Sequence, residues 1–180
     1  MNIAITGPIG SGKSTIVRRV MEQLGWRQPA GFLTRRSADQ RSAPALVLET
    51  WEGTSCVFAQ LRKSLLKEEE PPYAVDLSAL NRFAVEHMAN APAGTPVVMD
   101  ELGGLELGAE TFTQAVASLF QRPVPILAVI QKRALDRWLK IIRQKNIEHV
   151  FQVENGNRDR LPAEIAALLK KWSRGDPAPA

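Results

Sequence analysis

The chain has one cysteine, Cys56, among its 180 residues, so no disulfide can close within it. That argues against a small secreted scaffold and suits a reducing compartment. Histidine is scarce, with His87 and His149 alone and neither at metal-ligand spacing, which leaves both with structural roles. Aromatics make up 6% of the residues, and the four tryptophans are scattered as core or rim residues are. No apolar run approaches the length needed to cross a bilayer, the longest lying around Ile126 to Ile130. The net charge of +4 comes without a dense Lys/Arg cluster; Arg35-Arg36 and Lys170-Lys171 are isolated pairs, and nucleic-acid binding is not expected. An apolar strand starts at Met1 and leaves no room for a signal peptide. The expectation is a cytoplasmic, soluble, single-domain protein over residues 1–174, with a disordered tail at 175–180.

What is present begins at Gly7-Pro8-Ile9-Gly10-Ser11-Gly12-Lys13-Ser14-Thr15. Gly7, Gly12, Lys13 and Ser14 have the spacing of a phosphate-binding loop. Glycines let the backbone turn its N–H groups on a polyphosphate, and the helix that follows offers its positive N-terminus. Lys13 then reaches the β- and γ-phosphate oxygens, Ser14 ligates Mg²⁺, and Thr15 meets the α-phosphate. The context agrees. Met1 to Thr6 reads as a buried strand, and Lys13 to Leu24 as a helix with Ile16, Val17, Val20, Met21 and Leu24 on one face and Gly25 as its stop.

Further strands are expected at 30–34, 45–50 and 55–58, separated by turns at 37–40 and 51–54. They suggest an antiparallel ribbon near residues 31–60, added to the main sheet. Residues 62–72 read as an exposed loop with a solvated acidic run, Glu68-Glu69-Glu70. Tyr73 to Val75 is a brief strand, and Asp76 or Ser78 caps a helix that turns Leu77, Leu80, Phe83, Ala84 and Met88 inward. Strands at 96–99, 125–130 and 147–153 alternate with helices at 109–120, 134–145 and 161–172. This is an α/β pattern: a mostly parallel sheet flanked by helices, with its ligand beyond the carboxyl ends of the strands.

Asp100-Glu101 follows one of these strands and is the natural chemical partner of the loop. An acidic residue at such a strand end supports Mg²⁺, which suits Asp100. Glu101 is then placed to accept a proton from the water that attacks the γ-phosphate. Gly103-Gly104 would let the backbone turn beside the phosphates. Gln131, closing the next strand, is a candidate γ-phosphate sensor, and Asn157 and Arg158 are candidates for base or ribose contacts. Arg35, Arg36, Lys132 and Arg133 could each act as an arginine-finger-type cation.

Together these segments resemble the small P-loop nucleoside-triphosphatase family of thermophiles and animals, known in animals as cancer-related nucleoside-triphosphatase. The likeness runs through the loop, Gly31-Phe32-Leu33-Thr34, Tyr73-Ala74-Val75-Asp76-Leu77, Val97 to Gly103, Glu106-Leu107 and Glu154-Asn155-Gly156-Asn157-Arg158. Gly104 stands where the family often has lysine, and Arg35-Arg36-Ser37 where it is acidic and then basic. The resemblance implies a RecA-like P-loop fold and Mg²⁺-dependent hydrolysis of nucleoside 5′-triphosphates with little base selectivity. Two other uses of the same loop remain open. One is a small-molecule or nucleotide kinase; the other is a nucleotide-dependent switch acting on an unidentified protein partner.

Overall fold

The structure, a computed structural model, describes residues 1–37, 44–62, 72–89 and 92–173. Strands β1 (Asn2–Thr6), β2 (Ala30–Arg36), β3 (Ala45–Thr50), β4 (Ser55–Leu61), β5 (Tyr73–Val75), β6 (Val97–Leu102), β7 (Ile126–Ile130) and β8 (His149–Gln152) form one sheet. Helices α1 (Lys13–Leu24), α2 (Leu77–Phe83), α3 (Glu110–Leu119), α4 (Leu135–Ile142) and α5 (Leu161–Ser173) lie on its faces. The strand order is β5-β4-β3-β2-β6-β7-β1-β8. Strands β2, β6, β7, β1 and β8 run parallel, while β3, β4 and β5 extend the sheet antiparallel. Strand β2 is therefore a full member of the parallel sheet and the root of the ribbon, and the ribbon takes in β5 as well.

Central strands β1 and β7 are buried at every residue, as strands covered on both faces must be. Alternation along them separates two apolar layers. Ile3, Ile5, Leu127 and Val129 pack with α1 and α5, while Ala4, Ile126, Ala128 and Ile130 pack with α2, α3 and α4. Helix α1 spans the expected residues and ends at Gly25, whose left-handed backbone (φ 69°) returns its N–H to the carbonyls of Glu22 and Met21.

Asp76 is the cap of α2; its carboxylate accepts the Ala79 N–H at 2.9 Å. Leu77 does not turn inward. It is 41% exposed, because the first helical position lies over the turn at Gly108 rather than over the sheet. The helix continues as one π turn, Ala84–Met88. The acidic loop at 63–71, most of the turn after Ser37, and the tail at 175–180 lie outside the described residues. Among the described residues, no helix is long and apolar enough to cross a membrane.

Candidate nucleotide site

The loop joins β1 to α1 at the carboxyl end of the sheet, and its glycines take backbone angles that side chains resist. Gly10 (φ 76°) and Gly12 (φ 93°) are left-handed. At Gly12 a Cβ would also lie 2.9 Å from Arg158 Cδ, so the Arg158 stem rests on the loop. Lys13 is 8% exposed and folds back over the loop, donating to the carbonyls of Gly7 at 3.2 Å and Pro8 at 2.8 Å. The Ser11 N–H closes a turn to Pro8 O at 3.3 Å, and Ile9 stands at the tip, 94% exposed.

A cavity of about 300 Å³ opens on this loop, lined by Gly10, Gly12, Lys13, Ser14, Thr15 and, from across the sheet, Asp100 and Glu101. The acidic pair belongs to β6 itself rather than to the turn after it. The β6–β7 register shifts between Asp100 and Leu102, a bulge that takes Glu101 out of the ladder. The Asp100–Glu101 peptide is cis. Burial pushes the Asp100 carboxyl up to about 6; the adjoining Glu101 adds to the shift, while a hydrogen bond from the Ser14 hydroxyl and the charges of Arg18 and Lys13 oppose it.

Gln131 reaches Glu101 directly, its Nε2 donating to Glu101 Oε1 at 2.6 Å. The Gln131 backbone N–H bonds to Leu102 O at 2.9 Å, so the end of β7 is laddered to β6. Arg133 Nε in turn donates to Gln131 Oε1 at 3.3 Å. Gly103 does not turn by a positive φ; what it supplies is room. A Cβ there would lie 2.9 Å from Gln131 Nε2 and 3.0 Å from Glu106 Oε2.

Two contributors, Thr34 and Glu106, lie in segments that carry the family resemblance but have no site role assigned from the sequence. Thr34, at the end of β2, lines the cavity and donates its hydroxyl to Glu101 O at 3.4 Å. Glu106 is 3% exposed and accepts the Gly103 N–H at 3.0 Å, and burial pushes its carboxyl up to about 7. Trp138 of α4 holds the same glycine from the other side, donating to Gly103 O at 2.8 Å. Only the tertiary fold brings these groups together.

The remaining candidates are spread more widely. Asn157 uses its side chain within its own loop, accepting from Glu154 N and donating to Gln152 O, both at 2.9 Å. Arg35 is paired with Glu49 across β2 and β3, and Arg36 is exposed on the same ribbon. Lys132 and Arg133 line a second cavity of about 190 Å³ with Gly7, Pro8, Ile9, Lys13, Glu101 and Gln131. His87 packs against Phe83 and His149 against Phe151, and no group of three or more His, Cys, Asp or Glu is gathered as a metal site among the described residues.

The NTPase family model matches residues 2–166. The nucleoside-triphosphatase THEP1 of Methanosarcina barkeri is 30% identical over 177 residues, covering 95% of this chain and 98% of that protein. Its namesake from Thermotoga maritima is 27% identical over 178 residues, covering 98% and 99%. The solution structure of a human cancer-related nucleoside triphosphatase superposes with a TM-score of 0.72 at 25% identity, covering 94% of this chain and 97% of that one. The crystal structure of THEP1 from Aquifex aeolicus shares the fold with a TM-score of 0.71 at 24% identity, covering 94% and 99%. The expected RecA-like P-loop architecture is thus the one observed, and a match that runs through both the phosphate loop and the acidic strand means that this chain belongs to the NTPase family.

Proposed function

We propose that this protein uses water to hydrolyse nucleoside 5′-triphosphates to the diphosphate and phosphate, with Mg²⁺ as cofactor and the cytoplasm as its location. The observation that carries the reading is Glu101: a carboxylate next to Asp100, lining the cavity with Lys13 and oriented by Gln131 at 2.6 Å. The names of the relatives in Methanosarcina barkeri and Thermotoga maritima support it. So does the free thiol of Cys56, which suits a reducing compartment. Residues 1–174 act here as one domain.

The loop N–H groups and Lys13 would hold the β- and γ-phosphates, with Thr15 at the α-phosphate. Ser14 and Asp100 present hard oxygen donors beside one another, which fits Mg²⁺ bound by one carboxylate, one hydroxyl and the phosphates themselves. When bound, the ion would supply positive charge against the negative charge that develops on the phosphate oxygens. Glu101 takes a proton from the water as its oxygen forms a bond to the γ-phosphorus. The bond from that phosphorus to the β-phosphate oxygen breaks, and its electron pair leaves with the diphosphate. Gln131 keeps the Glu101 carboxylate aimed and senses the γ-phosphate. Arg158, resting on Gly12, and the loop that Asn157 organises form the edge where ribose and base would lie.

The test is phosphate release from ATP, GTP, CTP and UTP with Mg²⁺, beside a Glu101→Gln variant. The substituted amide keeps an acceptor for Gln131, so nucleotide binding should persist while turnover falls by about 10²–10⁴-fold. Turnover at the parent rate in that variant would remove Glu101 as the base.

A further inference from the structure

The two cavities on the loop share Ile9, Lys13 and Glu101. The first holds the loop residues that face the phosphates, so the shared lysine and carboxylate mark where the chain of phosphates ends. On the hydrolase reading, the second cavity would then lie beyond the terminal phosphate, on the side from which attacking water enters in line. Its far wall is cationic, made by Lys132 and Arg133.

Negative charge spreads over the γ-phosphate oxygens as the phosphoryl transfers, and a guanidinium is suited to meet it because it stays protonated and offers a planar fork of five N–H donors. Besides Lys13 of the loop itself, only Arg133 among the described cations both lines this cavity and is hydrogen-bonded towards the catalytic carboxylate. Its Nε donates to Gln131 Oε1 at 3.3 Å, and the same amide donates to Glu101 at 2.6 Å. The turn beneath it is braced, since Ala134 is buried and its N–H bonds to Gln131 O at 2.9 Å. Arg35 is held by Glu49 on the ribbon, and the Arg158 stem lies over Gly12 and lines neither cavity.

We propose that Arg133 is an arginine finger supplied by the chain itself, with two guanidinium NH₂ groups stabilising charge on the γ-phosphate while Gln131 links the finger to the base. The proposal rests on the hydrolase reading above. It makes Arg133 a catalytic residue, carried on the 3₁₀ turn Lys132–Ala134 one residue after β7.

Two measurements test it: steady-state phosphate release, and the affinity of the protein for ADP with and without aluminium fluoride, which mimics the phosphoryl group in transit. Arg133→Ala should lower kcat by about 10³-fold or more and leave KM within about threefold, as expected for a contact made only in the transition state. The affinity gained by adding aluminium fluoride to ADP should fall by a similar factor, with ADP alone bound as before. Arg133→Lys should recover part of the rate. Arg133→Gln, which keeps much of the side-chain length, is read in the same way if the alanine variant fails to fold. A kcat within threefold of the parent, an equal loss of affinity for ADP alone, or a loss carried by Lys132→Ala instead would each overturn the assignment. Absence of phosphate release from the parent protein would count against hydrolysis itself, and the fluoride-dependent affinity would still decide the role of Arg133.

Discussion

Glu106 is the residue whose chemistry reaches furthest beyond its position in the chain. Burial raises its carboxyl to about 7, with the N–H groups of Glu106 itself and Gly103 opposing. An acid whose folded pKa lies above its unfolded value binds more protons when folded. Stability is therefore greatest below the ordinary carboxylate range and is lost as pH rises from about 4.5 to about 7, the loss being complete above that. Glu106→Gln keeps an acceptor for the Gly103 N–H and removes the buried charge. Thermal melts between pH 5 and pH 8 should show a smaller fall in stability for the variant, by on the order of 2–3 kcal/mol. An identical slope in the two proteins would mean that Glu106 does not titrate in this window. Asp100 acts in the same direction, so some slope should remain. The residues of the phosphate loop were legible in the sequence because their spacing is contiguous and each type answers a requirement of one bound anion. The Gln131–Glu101 contact was not, since partners thirty residues apart meet only when β6 and β7 pair, and the titration of Glu106 was not, since it depends on burial that only the packed fold creates.

Among the elements, β2 depends most on one residue. Gly31 has φ 98° and pairs with Val98 of β6, and a Cβ there would lie 2.3 Å from the Val98 carbonyl oxygen. Gly31→Ala combines left-handed strain with a backbone clash that no rotamer relieves. Its cost should be roughly 3–5 kcal/mol, read as a lower urea midpoint. A midpoint within error of the parent would show that the two strands separate without penalty. Most elements could be read from hydrophobic periodicity because the central strands are buried on both faces and the helices on one. The end of β6 escaped that reading: Asp100 pairs with Leu33 of β2 and Val129 of β7, and Leu102 rejoins β7 after the bulge at Glu101, so the strand runs on through two acidic residues that nothing apolar marks. The parallel pairing of β2 was hidden for a similar reason, because β6 lies far along the chain.

For the molecule as a whole, a ligand that binds only the folded chain must raise its melting temperature. A nucleoside triphosphate at about a hundred times its Kd should stabilise the fold by about 2.7 kcal/mol. Lys13→Ala should abolish most of that shift while leaving the melt of the free protein close to the parent's, a comparison that differential scanning calorimetry would make. An undiminished shift would place the triphosphate elsewhere. The sheet also divides the interior into two apolar layers, α1 and α5 on one side and α2, α3 and α4 on the other. The first layer carries the helix that follows the phosphate loop; the second carries Trp138, which braces Gly103 beside Glu106 and Gln131. On the proposed roles, the helix that carries Lys13 and the side chains that flank Glu101 are packed largely by different layers, so substitutions in the first should retune how tightly a nucleotide is held more than the speed at which it is cut, and those in the second the reverse.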